Sequence, residues 1–150
     1  MASTHRRELH ALACRLMSGA RRQVCASATW SQDVPQAAGV YAIWERRSQR
    51  LVYVGETSDL LERFRDLGRV ANHTFRRHAI VRLGLSASMA PAAVSASMAR
   101  SYELAFLAVP FGRKELEEYL VLRYRTHLFN KPTKRLVRGE QYTWVRPAPG

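Results

Sequence analysis

Leu9, Leu12, Ala13, Leu16 and Ala20 recur at helical spacing with arginines on the positions between them, which predicts a basic amphipathic helix over residues 6–25. Residues 30–38 hold Asp33, Pro35 and Gln36 and read as a connector. The period then changes. "GVYAIW" and "RLVYVGE" are β-branched and aromatic runs joined by the polar turn "ERRSQ", which predicts two antiparallel strands. Thr57, Ser58 and Asp59 follow Gly55 as helix-capping residues, with Glu62 three positions after Asp59 and Leu60, Leu61, Phe64 and Leu67 at helical spacing. A helix is expected to start there and end near Gly68.

"NHTFRRHAIVRLG" predicts a second short helix that sends Phe75, Ile80 and Leu83 into the core and closes near Gly84. Residues 85–100 contain the string SASMA twice, nine positions apart, and read as a low-complexity insert or a short helix broken at Pro91. "YELAFLAVP" is a third strand, stopped by Pro110 and Gly112. "RKELEEYLVLRYRTHLFNKP" is acidic in its first turn and basic in its last, as the helix dipole favours, and residues 130–132 should terminate it. "QYTWV" reads as a short final strand. The order helix, β, β, α, α, β, α predicts an α+β fold with a small three-stranded antiparallel sheet flanked by helices. Residues 1–36 are then an N-terminal basic helix and connector, 37–132 the main domain, and 133–150 a basic tail.

At 150 residues the chain can bury a full hydrophobic core without staples. Cys14 and Cys25 fit neither a disulfide framework nor zinc-site spacing, so reduced thiols in an intracellular, cytoplasmic protein are expected. The first thirty residues are Arg-rich with one acid, Glu8, and so also partly match a mitochondrial presequence. No apolar run nears the roughly 18 residues that cross a bilayer, and no membrane partner is expected.

Charge changes the picture most. Twenty-four Lys and Arg against 12 Asp and Glu give a net charge of +12, spread in pairs along the chain rather than gathered in a tail. That distribution suits a folded surface meeting phosphates, against the plainer alternative of a solvated basic surface. No Walker-type phosphate loop, dinucleotide glycine fingerprint or HExxH zinc motif is present, so those enzyme classes lose their sequence support.

The remaining polar groups fall into a pattern. "GVY" at 39–41 and "YVG" at 53–55 stand eleven residues apart, Arg63 lies eight past Gly55, and Glu118 precedes Asn130 by twelve. In these residues the chain resembles a GIY-YIG nuclease domain over residues 37–132. The resemblance implies a DNA endonuclease in which Tyr41 activates water, Tyr53 orients the phosphate or that water, and Arg63 steadies the phosphoryl charge. Glu118 would bind Mg²⁺, with Mn²⁺ as a substitute, and Asn130 would complete the site. His73 is a rival or auxiliary base. A tyrosine with a free pKa near ~10 needs a neighbouring cation to act as a base, so Tyr41 depends on Arg63 or the metal. Glu115 and Glu117 read as solvated first-turn charges. Arg65, Arg76, Arg77, Lys131, Lys134 and Arg135 are expected to contact single- or double-stranded DNA, bound by a monomer or homodimer. The chain departs from the pattern at Glu56, where many members carry lysine, and at Leu67, where some carry histidine. Glu56 keeps open a second class, a nucleic-acid-binding module that has lost catalysis; a basic assembly or ribosome-associated protein is a third.

Overall fold

The computed structural model describes residues 2–69, 74–86, 89–124 and 128–130. In chain order they form α1 (Ala2–Met17), β1 (Arg22–Gln23), β2 (Gly39–Glu45), β3 (Leu51–Thr57), α2 (Leu60–Arg69), α3 (Thr74–Arg82), α4 (Pro91–Ser101), β4 (Tyr102–Ala108) and α5 (Arg113–Tyr124). The strands make one antiparallel sheet in the order β1-β4-β2-β3. The α+β class and the three long strands match the hydrophobic pattern. The sheet also has a fourth strand: β1 is two residues long, too short to leave a period, and pairs Arg22 with Leu104 and Gln23 with Glu103.

Strand β2 runs through the middle of the sheet and is buried on both faces, as its nearly unbroken apolar run requires. Tyr41 and Ile43 face one core with Leu60, Phe64 and Leu67 of α2, Phe75 and Ala79 of α3, and Val94 and Met98 of α4. Val40, Ala42 and Trp44 face a second core with Leu9, Ala13 and Leu16 of α1 and Leu116 and Leu120 of α5. Helices therefore cover the sheet on both sides, and α1 belongs to the second core.

Two elements differ from their sequence-based reading. Helix α1 stops at Met17 rather than near residue 25: the Gly19 N–H closes a tighter turn onto the Leu16 carbonyl at 3.1 Å, and Arg22 and Gln23 then pair with β4. Cys14 and Cys25 thus do not share a helix; Cys25 is buried after β1 with φ 57°. Pro91 starts helix α4 instead of breaking one, since proline is tolerated in a first turn whose N–H groups lack intrahelical partners. The second SASMA copy lies within α4 and sends Met98 into the core, while the first precedes the helix. The expected QYTWV strand lies outside the described residues.

The capping signal after β3 works as its residues suggest. Thr57 Oγ1 accepts the Asp59 N–H at 3.1 Å, and Asp59 Oδ1 accepts the Glu62 N–H at 3.1 Å. This fixes where α2 begins and so where Arg63 is carried. Among the described residues, no helix is long and apolar enough to cross a membrane.

Candidate active site

The β2–β3 register sets Tyr41 opposite Gly55 and Ile43 opposite Tyr53, so both tyrosines project from the same face of the hairpin. Their ring centroids are 6.1 Å apart. The two glycines have steric work in this arrangement. A Cβ at position 55 would fall on the Tyr41 ring, and one at position 39 would lie 2.5 Å from the Leu107 carbonyl oxygen and 2.6 Å from Leu60 Cδ1. Gly55 makes room for the phenol, and Gly39 lets α2 close against the sheet. Phe64 of α2 then holds Tyr41 edge-on, with centroids 5.6 Å apart.

Tyr41 is 1% exposed and Tyr53 9%. Their hydroxyls hydrogen-bond to each other, and the Thr74 hydroxyl bonds to Tyr53. Burial holds Tyr41 well above the ordinary tyrosine range; Tyr53 and Glu117 push it further, and Arg63 only partly offsets them. Tyr53 is raised by burial and then by Glu117, again with Arg63 opposing. Both are neutral phenols near pH 7. The nearby arginine does not make Tyr41 a phenolate.

The acid acting on these phenols is Glu117, which corrects its reading as a solvated first-turn charge. Its carboxyl is raised to about 7, by burial first and then by Glu56 and Glu118. The Glu56 backbone N–H donates to it, and Arg63 offsets part of the rise. Glu117 therefore sits against the end of β3, next to Gly55. One residue of α-helix turns a side chain by about 100°, so choosing Glu118 over Glu117 picks a different direction from α5. Glu118 is buried, at 6% exposure, and contributes to the site by raising Glu117.

Glu56 is not an isolated acid: Arg113 Nε donates to its Oε2 at 2.7 Å. Arg113 and Glu117 are one turn apart on α5 and share a face, so the start of this helix brings a cation and a carboxylate to the end of β3. Neither Arg113 nor Glu117 was given a role at the site from the sequence, where Glu117 read as a solvated charge. The available signal was their i, i+4 spacing at the start of an acidic helix.

Asn130 meets the site through the backbone. Its Oδ1 accepts the Val54 N–H at 2.9 Å and its Nδ2 donates to the Val54 carbonyl at 2.6 Å, while the Phe129 N–H donates to Val52 at 2.6 Å. β3 is an edge strand, and the asparagine amide supplies the donor and acceptor that a neighbouring strand would provide. Asn130 therefore positions Tyr53's strand.

The expected DNA contacts separate. Arg65 and Arg77 are exposed on α2 and α3. Arg76 is not on the surface: it is 5% exposed and donates to the Leu67 carbonyl at 2.8 Å and to Met98 Sδ at 3.4 Å, tying α3 to α2 and α4. A cleft of about 630 Å³ beside Arg65 is walled by Cys25, Trp30, Gly68 and Ser95, without the tyrosines or Glu117. The tyrosine pair and Glu117 therefore lie outside this cleft. His73, Lys131, Lys134 and Arg135 lie outside the described residues.

Among the described residues, no three His, Cys, Asp or Glu side chains cluster to hold a metal ion. The donors at the site are hard carboxylate oxygens, with Glu117 crowded electrostatically by Glu56 and Glu118. That set fits a Mg²⁺-like ion bound through one or two carboxylates, with water and phosphate completing its shell. Comparison of the chain with known protein families, with curated proteins and with solved structures found no match. The fold and site together describe an α+β protein with a buried tyrosine pair, an arginine and a high-pKa glutamate at one end of its sheet.

Proposed function

We propose that this protein is a metal-dependent endonuclease of the GIY-YIG type that hydrolyses phosphodiester bonds in DNA. The supporting observation is that Tyr41, Tyr53, Arg63 and Glu117 act on one another electrostatically although they come from two strands and two helices. Such a site meets the needs of phosphodiester hydrolysis: a placed water, a proton acceptor, and positive charge for the phosphoryl oxygens.

Arg63 supplies a planar guanidinium that can bind two phosphate oxygens. Tyr53, neutral at rest, orients the attacking water through its hydroxyl, and Tyr41, buried behind it, positions Tyr53. The water's proton goes to Glu117, whose proton affinity suits a base near neutrality far better than a buried phenol does. Glu118 is the carboxylate that would hold Mg²⁺ or Mn²⁺, which when bound supplies Lewis-acid stabilisation of the phosphoryl oxygens. One such site cuts one strand per encounter, so double-strand breaks require a homodimer or sequential nicking.

The alternative is a non-catalytic nucleic-acid-binding module, favoured by the Glu56–Arg113 pair, which engages a cation beside the site. Plasmid and labelled single-stranded DNA incubated with Mg²⁺ or EDTA distinguish the two. The nuclease reading expects Mg²⁺-dependent cutting that Arg63→Ala and Glu117→Gln abolish. Binding without cutting by the wild-type protein would favour the module.

A further inference from the structure

Phe111 is 89% exposed, while Val109 and Leu116 on either side of it are buried. Its loop is held firmly: Pro110 precedes it, Gly112 follows with φ 82°, and the Gly112 carbonyl accepts the Leu116 N–H at 2.9 Å in the first turn of α5. Exposing a large ring on a constrained loop forgoes hydrophobic burial, which suggests a partner for the ring. The ring borders a cleft of about 430 Å³ between α1 and this loop, with Leu9 and Leu12 as apolar walls and His5, Glu8 and Glu115 at its polar edge.

We infer that this cleft is a subsite for an unpaired nucleobase, stacked on Phe111 with its exocyclic N–H groups turned to Glu8 and Glu115. This rests on the nuclease reading for the strand's path. A base offers an uncharged π-face and amine donors, which suit an aromatic ring and carboxylate acceptors. A phosphate would be repelled by the two acids, and so would an anionic membrane. The backbone instead runs outward, over Arg113 and Lys114.

The cleft and the candidate active site meet at the start of α5. Arg113 follows Phe111 by two residues, so their Cα atoms are at most ~7 Å apart. Its guanidinium pairs with Glu56, whose backbone N–H holds Glu117. Arg113 and Glu117 occupy one face of α5 and Glu115 lies nearly opposite. A strand bound at Arg63 and Glu117 reaches the cleft by rounding the first turn of α5, where an unpaired base can enter it. The substrate implied is single-stranded DNA, or a duplex with a splayed or flipped base.

The test is fluorescence anisotropy of labelled single-stranded oligonucleotides with the full chain in EDTA, where no cutting is required. Phe111→Ala should weaken binding about 10-fold. Phe111→Trp should retain binding, and both variants should melt like wild type because the ring is exposed. The Phe111→Ala effect should vanish on a strand of equal length with abasic sites, and on a blunt duplex. Equal affinity of wild type and Phe111→Ala for the normal strand overturns the subsite, as does an equal loss on the abasic strand. A defect confined to phosphatidylserine vesicles also overturns it and assigns the ring to a membrane. A wild-type chain that binds bases through Phe111 yet never cuts with Mg²⁺ refutes the nuclease reading and leaves the subsite standing.

Discussion

Replacing Glu117 with glutamine should stabilise the protein at high pH while removing the proposed activity. Folding raises this carboxyl from an ordinary 4.5 to about 7. Between those values the folded chain keeps a proton that the unfolded chain has released, so stability falls as pH rises through the window. Below the window the penalty is absent; above it the penalty is complete. The full shift corresponds to a ceiling of about 3 kcal/mol, which partial exposure and local relaxation should reduce to roughly 1–3 kcal/mol. For a domain of this size that is roughly 3–9 °C in Tm. Glutamine retains an oxygen for the Glu56 N–H, so the substitution removes charge with little change in shape. Thermal melts of both proteins in EDTA should coincide near pH 4, separate as the pH rises from 4.5 to about 7 and reach a constant gap by pH 8, with the variant higher. A difference that is constant with pH, or a variant less stable at pH 8, would refute the placement of Glu117 in a desolvated, acid-crowded site.

Three further substitutions probe the parts that position the site. Gly55→Ala pushes a methyl group into the Tyr41 ring and should cost at least ~1–3 kcal/mol by urea denaturation, as overpacking in a closed core does; a neutral result would mean Tyr41 is free to move aside. Asn130→Ala leaves both backbone groups of Val54 without their partner and should cost ~1–3 kcal/mol, with faster hydrogen exchange at the Val54 amide. Slow exchange retained in that variant would show that the edge of β3 does not need the side chain. Glu56→Gln removes the largest charge raising Glu117, so the Glu117 titration followed by carboxyl ¹³C NMR should move down from about 7. An unmoved midpoint would remove Glu56 from the causes and leave burial and Glu118.

The strands were legible because each core demands uninterrupted apolar runs from β2 and β3, and the glycines at 39 and 55 stand where close packing excludes a Cβ. The α2 start was legible because Thr57 and Asp59 perform the capping their chemistry suggests. The same local reading could not separate Glu117 from Glu118. Adjacent helical residues have the same chemistry in sequence and differ only in direction, which tertiary packing decides. Arg76 illustrates the limit from the other side. Its charge predicts the surface, but the Leu67 carbonyl and Met98 compensate its guanidinium in the interior. Asn130 was read as completing a catalytic site, and its amide is placed on the Val54 backbone, a contact that no side-chain motif encodes. Strand β1 went unread because its two residues depend on the edge of β4 alone.

The central claim is that the tyrosine, arginine and glutamate cluster cuts DNA. The most direct measurement is cleavage of a labelled oligonucleotide with Mg²⁺ at pH 6 and pH 8, comparing wild type with Arg63→Ala and Glu117→Gln. The account predicts cutting by wild type that is stronger at pH 8, as Glu117 ionises, and absent in both variants and in EDTA. Wild-type protein that binds the oligonucleotide at both pH values and leaves it intact would contradict it.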